Sequence, residues 1–457
     1  MIWGIIIMKK TFKLVSLILC VTLLLSVVSV GGFAAEKKDY VIVSPYEDVI
    51  WSGEGAWGAY KGTLHSHTTY SDATETLESM IKEYYEQDYD FVANADHGVT
   101  GVEWNRHPEQ QLLYCYNLFN LKHLTDEEFE QITNGTYPIY GDTIRNRKMV
   151  CVTGANELNN LTVTKPHVNG YFLPEEAAFG YGGTENGYDE ALNYIEKNGG
   201  LSHINHPGDW LYTNDNPDAV NNPDNVKFFG DLILKYDSCL GTEVFNEDNG
   251  VDGYDRILWD NLLMYTLPYG KNVIAFSNTD AHDHENIDTS FNIFMMEEND
   301  VDHIKETMQS GAFFCVTRKL RVTDIGPYEE IDAMNTDLPY PVFTSVEVDD
   351  HAVLATAKDC DYVQFIADGK IIKTVENTDG TFFINLDEIE GAEDFDYIRV
   401  EAFGEGGICL TQALVIEDGS DKNEYQEQPK TELDKFIYII KGSIIWGLLR
   451  ELFGFTN

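Results

Sequence analysis

"KGTLHSHTTYSDATET", residues 61–76, sets His65 and His67 one residue apart, adds Asp72, and then turns helical. In an extended strand alternate side chains share a face, so the two imidazoles stand on one side about 7 Å apart. Two imidazoles on one face suit a metal ion, although an isolated His-x-His also ends many ordinary strands. What the rest of the chain sets beside this stretch decides between the two.

Working outward, short apolar runs that end in polar residues recur along the chain: "YDFVANADHG", "KMVCVTGANELNN", "KPHVNGYFL", "GGLSHINHPG", "CLGTEVFNEDNG" and "KNVIAFSNTDAHD". Helical patterns lie between several of them. In "ATETLESMIKEYYEQD" Leu77, Ile81 and Tyr84 or Tyr85 keep helical spacing, and "YDEALNYIEKNGG" puts Leu192 and Ile195 on one face before Gly199 and Gly200. "DRILWDNLLMYTLPYG" ends at Gly270, where a left-handed cap is wanted. Strands alternating with helices imply parallel β/α units, and a barrel of such units fits best.

The polar residues fall at the C-terminal ends of these runs, where barrels of this type build their active sites. They are Asp96 and His97, Glu157, His167, His203 and His206, then Asp280 and His282. One strand-end histidine would be a polar cap; so many, with carboxylates beside them, point to a site. Nitrogen and oxygen donors without sulfur suit zinc, manganese or iron(II).

In these motifs the chain resembles the polymerase and histidinol phosphatase (PHP) superfamily of metal-dependent phosphoesterases, over about residues 60–317. "LHSHTTYSDA" is similar to the first family motif and "NADHG" to the second. "TGANEL", "PHVNGYF", "NHPG" and "NTDAH" follow in order, and "VDHIKETMQSGAFFCVTR" is similar to the last helix and strand. The resemblance implies a distorted (β/α)7 barrel and two or three divalent ions (Zn2+, Mn2+ or Fe2+). It places one ion between His65, His67, Glu157 and Asp280. A second would share Glu157 with His167 and His206, and a third would use Asp72, His97 and His282. Such a pair of ions would hold a bridging hydroxide against a small phosphate ester. The chain departs from the commoner pattern at Asn205, before His206, and its "NHP" form is similar to a branch with carbamate- and ester-cleaving members. A carboxyl or carbamate ester hydrolase, or a non-catalytic surface-binding protein, therefore stays open beside the phosphoesterase reading.

Two further residues are catalytic candidates. His203 faces away from His206 in a regular strand and is a second-sphere partner, a proton donor or a structural residue. Arg145, with Arg147 and Lys148, ends an insertion at residues 98–148 that is too long for a simple connection and reads as a folded cap near the strand ends. These cations either clamp a phosphate or carboxylate or balance nearby acids.

Composition limits the partners. The 457 residues carry a formal charge of −46. The opening run of Lys9, Lys10 and Lys13, an apolar stretch from Leu14 to Val30, then Gly32 and Ala34 reads as a signal peptide over residues 1–35, hence a secreted or cell-surface protein. Its loss removes three lysines and no acid, which takes the charge to −49. So acidic a chain without a basic track fits a small-molecule ester and no large nucleic acid. The remaining cysteines lack C-x-x-C spacing, which argues against a cysteine zinc site.

After a barrel region taken as 36–323, alternating strands with "DG" turns read as an all-β sandwich over 324–416. A polar linker, 417–432, leads to an amphipathic helix over 433–457. There Leu433, Ile437, Ile440, Ile444, Leu448 and Leu452 form an apolar stripe suited to a membrane surface or a protein partner.

Overall fold

Thr76 and the residues after it show how local sequence becomes local structure. The computed structural model describes residues 40–108, 120–158, 166–175, 187–246, 251–321, 328–331 and 338–427, with 431, 433, 436–437, 440 and 443–453. Thr76 caps α1 (Leu77–Glu86) by accepting the Ser79 amide at 3.2 Å, and Leu77, Met80, Ile81, Tyr84 and Tyr85 form its buried face. Each such large apolar side chain contributes about 1.5–3 kcal/mol on burial. Gly199 and Gly270 adopt positive φ at helix ends, at +72° and +80°, as their positions require.

Two sheets build the site-bearing half. In chain order the strands are β1 (Val41–Val43), β2 (Gly58–Thr63), β3 (Phe91–Val92), β4 (Val150–Cys151), β5 (Asn156–Leu158) and β6 (Val168–Tyr171). They continue with β7 (Leu201–Ile204), β8 (Cys239–Phe245), β9 (Ile274–Ser277), β10 (Ser290–Met296) and β11 (Phe313–Thr317). One sheet holds β2, β3 and β4 in parallel, with β10 and then β11 added antiparallel beside β2. The other has the order β9-β8-β7-β6-β5.

The second sheet departs from the all-parallel expectation. β7, β8 and β9 run parallel, but β6 is antiparallel to both β5 and β7. Val168 pairs with Leu158 and Ile204, so the start of β6 lies at the edge where β5 and β7 end. His167, expected at a strand's C-terminal end, precedes this reversed strand and still reaches the site edge.

Side chains join the sheets where the ladder stops. The Leu64 amide donates to Asn278 Oδ1 at 2.9 Å, and Asn169 Nδ2 donates to the Leu64 carbonyl at 3.3 Å. Isolated bridges pair Ser66 with Ala281 and His97 with Glu157. The fold is thus mixed α/β with several sheets, closed at the site end by asparagines that satisfy buried backbone groups.

The later strands are β12 (Val342–Asp349), β13 (Ala352–Lys358), β14 (Tyr362–Ala367), β15 (Lys370–Glu376), β16 (Thr381–Asn385), β17 (Tyr397–Gly404), β18 (Gly407–Leu410) and β19 (Leu414–Glu417). β12, β13 and β16 form a three-stranded sheet, but β18 pairs with β11 and β17, and β1 pairs with β19. The ladder of the first sheet therefore runs unbroken into the C-terminal β region, and the first described strand belongs to that end of it.

Within the insertion, α2 (Asp126–Asn134) has a reciprocal capping box of Thr125 and Glu128 and ends at Gly135 in the left-handed region. Its earlier part is tied to the site edge: Thr69 Oγ1 donates to the Asn120 carbonyl at 2.9 Å, and Trp104 Nε1 to Asn94 Oδ1 at 3.0 Å. The aromatic run "LLYCYNLF" and the signal-like segment lie outside the described residues. Five cysteines, Cys151, Cys239, Cys315, Cys360 and Cys409, are free thiols. Of the C-terminal stripe, Leu448 and Leu452 lie on the helix Ile444–Phe453 and are exposed, while Arg450 stacks over the Tyr212 ring at 3.9 Å. Among the described residues no helix is long and apolar enough to cross a membrane.

Candidate metal centre

The end of β2 leads straight into His65 and His67, both fully buried. Their Nε2 atoms lie 3.1 Å apart, and each is near Asp280 Oδ1, at 3.1 and 3.0 Å. Asp96 shapes the turn between them and Asp72: it accepts the Thr68 amide at 2.7 Å, Thr68 Oγ1 at 2.8 Å and Ser71 Oγ at 2.7 Å. That use leaves it outside the cluster.

Glu157, on β5, stands at the middle. Its Oε2 is 3.5 Å from His65 Nε2, 3.1 Å from His67 Nε2 and 3.0 Å from His97 Nδ1. Its Oε1 is 3.0 Å from His167 Nδ1 and 3.4 Å from His206 Nε2. Asp72 faces His67 Nδ1 at 3.3 Å, His97 Nε2 at 3.4 Å and His282 Nε2 at 3.5 Å. All nine expected ligands therefore converge. Three groupings have ligand atoms all within 4.8 Å of one another, His65/His67/Asp280, His67/Asp72/His97 and His97/Glu157/His167, so His97 stands between the Asp72 and Glu157 ends.

The donor set fits divalent ions. A tetrahedral ion with bonds of about 2.05 Å has ligand atoms about 3.3 Å apart, which is the spacing seen here. Among the described residues Asp280 Oδ1 and His97 Nδ1 are buried with no hydrogen-bond partner, as expected of atoms meant for a cation. Two ligands also sit in strained backbone, His206 at φ 22° and Asp280 at φ 45°. Burial alone would raise the Glu157 pKa, but His97, His167 and His65 hold it well below the usual carboxylate range. Burial alone would lower that of His206, but Glu157 and Asp280 push it up to about 10. The cluster opens on the side of His282 and Asp72, whose side chains are 31% and 27% exposed.

The structure gives both catalytic candidates protein partners that match the structural readings left open for them. His203 is buried, lies 2.8 Å from the Tyr171 hydroxyl and stacks on Phe276 at 4.5 Å, and burial pushes its pKa down to about 4. So placed, its ring is held by Tyr171 and Phe276 and takes no part in the nine-residue cluster. Arg145 donates to the carbonyls of Tyr85 and Tyr89, both at 2.8 Å, and to Asp90 at 3.1 Å. Asp90 precedes β3, so Arg145 ties down the start of a strand whose other end carries the site.

Sequence reading missed two residues of the centre's support. Asn205, noted as a departure, donates from Nδ2 to Glu157 Oε1 at 2.7 Å and to Asn169 Oδ1 at 2.8 Å. Glu243, inside "CLGTEVFNEDNG", accepts from His65 Nδ1 at 2.8 Å. Its one sequence signal was a carboxylate near the end of an apolar run.

No protein-family model and no characterised protein matches the sequence. Among solved structures, one similar chain is a two-domain protein from Bacteroides vulgatus ATCC 8482 containing a predicted PHP-like metal-dependent phosphoesterase. It is 12% identical with a TM-score of 0.41, over 83% of this chain and 100% of that one. Another is the lesion-specific endonuclease Q of Pyrococcus furiosus, 12% identical with a TM-score of 0.31, over 55% of this chain and 56% of the endonuclease.

Proposed function

We propose that the chain is a PHP-type metal-dependent phosphoesterase that hydrolyses small phosphate esters and works outside the cell. One observation carries this reading: a buried carboxylate, Glu157, stands within 3.5 Å of nitrogens from five histidines, split between its two oxygens. Two or three divalent ions, zinc, manganese or iron(II), would supply Lewis acidity and a water acidic enough to attack near neutral pH.

The chain's own residues do the rest. His65, His67 and Asp280 would hold one ion, Glu157 would be shared, His167 and His206 would face the second, and Asp72, His97 and His282 the open side. Burial of all but the Asp72, His167 and His282 edge excludes water from the inner ligands and leaves one face for substrate. The charge of −46 favours a small ester over a polyanion. The N-terminal signal pattern supports secretion, and the exposed Leu448 and Leu452 support contact of the C-terminal helix with a membrane surface or partner.

The test is a screen of the metal-loaded protein against phosphate monoesters, phosphodiesters, carboxyl esters and single-stranded DNA. Fastest turnover on a small phosphate ester is expected. Fastest turnover on a carboxyl ester moves the chain to the ester-cleaving alternative, a DNA preference overturns the size argument, and no turnover on any leaves a binding protein.

A further inference from the structure

Glu243 makes four hydrogen bonds and is fully buried. Its Oε1 accepts from His65 Nδ1 at 2.8 Å and Asn278 Nδ2 at 2.9 Å. Its Oε2 accepts from the His206 backbone amide at 3.0 Å and Asn246 Nδ2 at 2.8 Å. A carboxylate offers about four lone-pair positions, so this one is saturated and has none left for a cation. That separates it from Glu157, whose oxygens face imidazole nitrogens from five directions. Its aim comes from the backbone: the ladder between β8 and β9 shifts register between Glu243 and Phe245, an irregularity of the kind that redirects a side chain beside a site.

We propose that Glu243 is a positioning residue of the metal centre, which holds His65 with Nε2 turned to the ions and fixes the His206 backbone at its positive φ. The inference rests on the metal-dependent reading above. A histidine whose Nδ1–H is taken by a carboxylate can offer only Nε2 to a metal, and its ring cannot rotate without breaking that bond. The same carboxylate holds the His206 amide, where φ is 22° and an unaided histidine would relax. One side chain thus orients a ligand of the His65/His67/Asp280 group and another that faces Glu157 Oε1.

The experiment uses the whole chain loaded with zinc. Glu243→Gln keeps the shape but puts an amide N–H2 where a donor must be accepted. Its zinc affinity, measured against a competing chelator, should fall by about 10- to 100-fold, while circular dichroism stays that of the wild type. Long-range 1H–15N spectra of the zinc-loaded wild type should show His65 bound through Nε2 with a protonated, slowly exchanging Nδ1. An affinity within twofold of wild type overturns the proposal, even if the variant melts earlier, because a purely structural role would do that. His65 coordinated through Nδ1 also overturns it, and this wild-type measurement decides the matter if Glu243→Gln does not fold. A wild type that binds no zinc, manganese or iron(II) overturns the metal reading itself and this proposal with it; the other two results strike the proposal alone.

Discussion

Two buried ionic clusters in this chain look alike in composition and differ in how their atoms face. In the metal centre six histidines and three carboxylates turn nitrogens and oxygens toward one another, with His65 Nε2 and His67 Nε2 only 3.1 Å apart and Asp280 Oδ1 without a hydrogen bond among the described residues. In the second cluster Arg399 forks onto Asp260 at 2.7 and 2.8 Å and reaches Glu401 at 2.6 Å. Tyr397 donates to Asp260 at 2.6 Å, Arg256 lies 3.3 Å from it, and Arg321 is 3.0 Å from Glu401. Here guanidinium groups face carboxylates of opposite charge, although Glu401 Oε2 makes no hydrogen bond among the described residues. With its imidazoles neutral, as metal binding requires, the first cluster needs a cation to be satisfied; the second supplies its own cations and bonds the helix Asp255–Thr266 to β17. A buried cluster is thus read by whether its carboxylates face permanent cations or imidazole nitrogens.

The largest expected effect tests the imidazole cluster. Glu157→Gln should lose most bound metal and lower hydrolysis by roughly a hundredfold or more, about 2.7 kcal/mol of barrier. Elemental analysis and turnover on one preparation check this, and a variant that keeps both breaks the contrast.

The guanidinium cluster should respond in stability alone. Asp260→Ala strands the Arg399 guanidinium and should cost about 3–5 kcal/mol in denaturant unfolding. Metal content per folded molecule should not change; a variant that sheds metal would show that the two clusters are coupled.

Protonation sharpens the difference. In the metal-free centre the surrounding carboxylates, opposing burial, keep His206 protonated up to about pH 10. A metal must displace that proton, so zinc binding should tighten as pH rises from 6 to 8, by about tenfold per unit for each proton released. The sign for the metal-free fold is opposite. His206 contributes stability fully below about 6.5, its ordinary pKa, and that contribution is lost as pH climbs through about 10. Calorimetry in buffers of different ionisation enthalpy counts the protons; a flat profile rejects the assignment.

Arg145→Ala exposes the Asp90 carboxylate and two carbonyls and should cost about 1–3 kcal/mol of stability, with KM for a small phosphate ester unmoved. A raised KM would return Arg145 to the substrate. Smallest of all, His203→Gln should keep the alkaline limb of the pH–rate profile in place with kcat within about tenfold, or 1.4 kcal/mol. Loss of that limb would restore His203 as a proton donor.

Histidines and carboxylates at the ends of apolar runs were legible because their chemistry is local, while the resemblance to the PHP superfamily selected the nine candidate ligands and set Asp96 and His203 aside. Helices were legible for the same reason, as Thr76, Leu77 and Ile81 show. The partners of Arg145 were not, since Tyr85, Tyr89 and Asp90 lie 55–60 residues away in the chain and charge alone cannot tell a substrate clamp from a strand tie.

By itself, then, the sequence determined which residues could bind metal, the acidic character of the chain and the alternation of strands with helices, because these rest on side-chain type and short-range periodicity. Only the tertiary structure decided that β6 runs backwards yet delivers His167 to the same edge, that the first sheet continues through β11 into β18, and that His203 is buried against Tyr171 and Phe276. It also decided that Glu243 is taken up by four hydrogen bonds while Glu157 faces five imidazoles. The physical reason is common to all four: strand direction, burial and lone-pair matching depend on what approaches from distant parts of the chain, and a carboxylate's role is set by whether donors or open space face its oxygens.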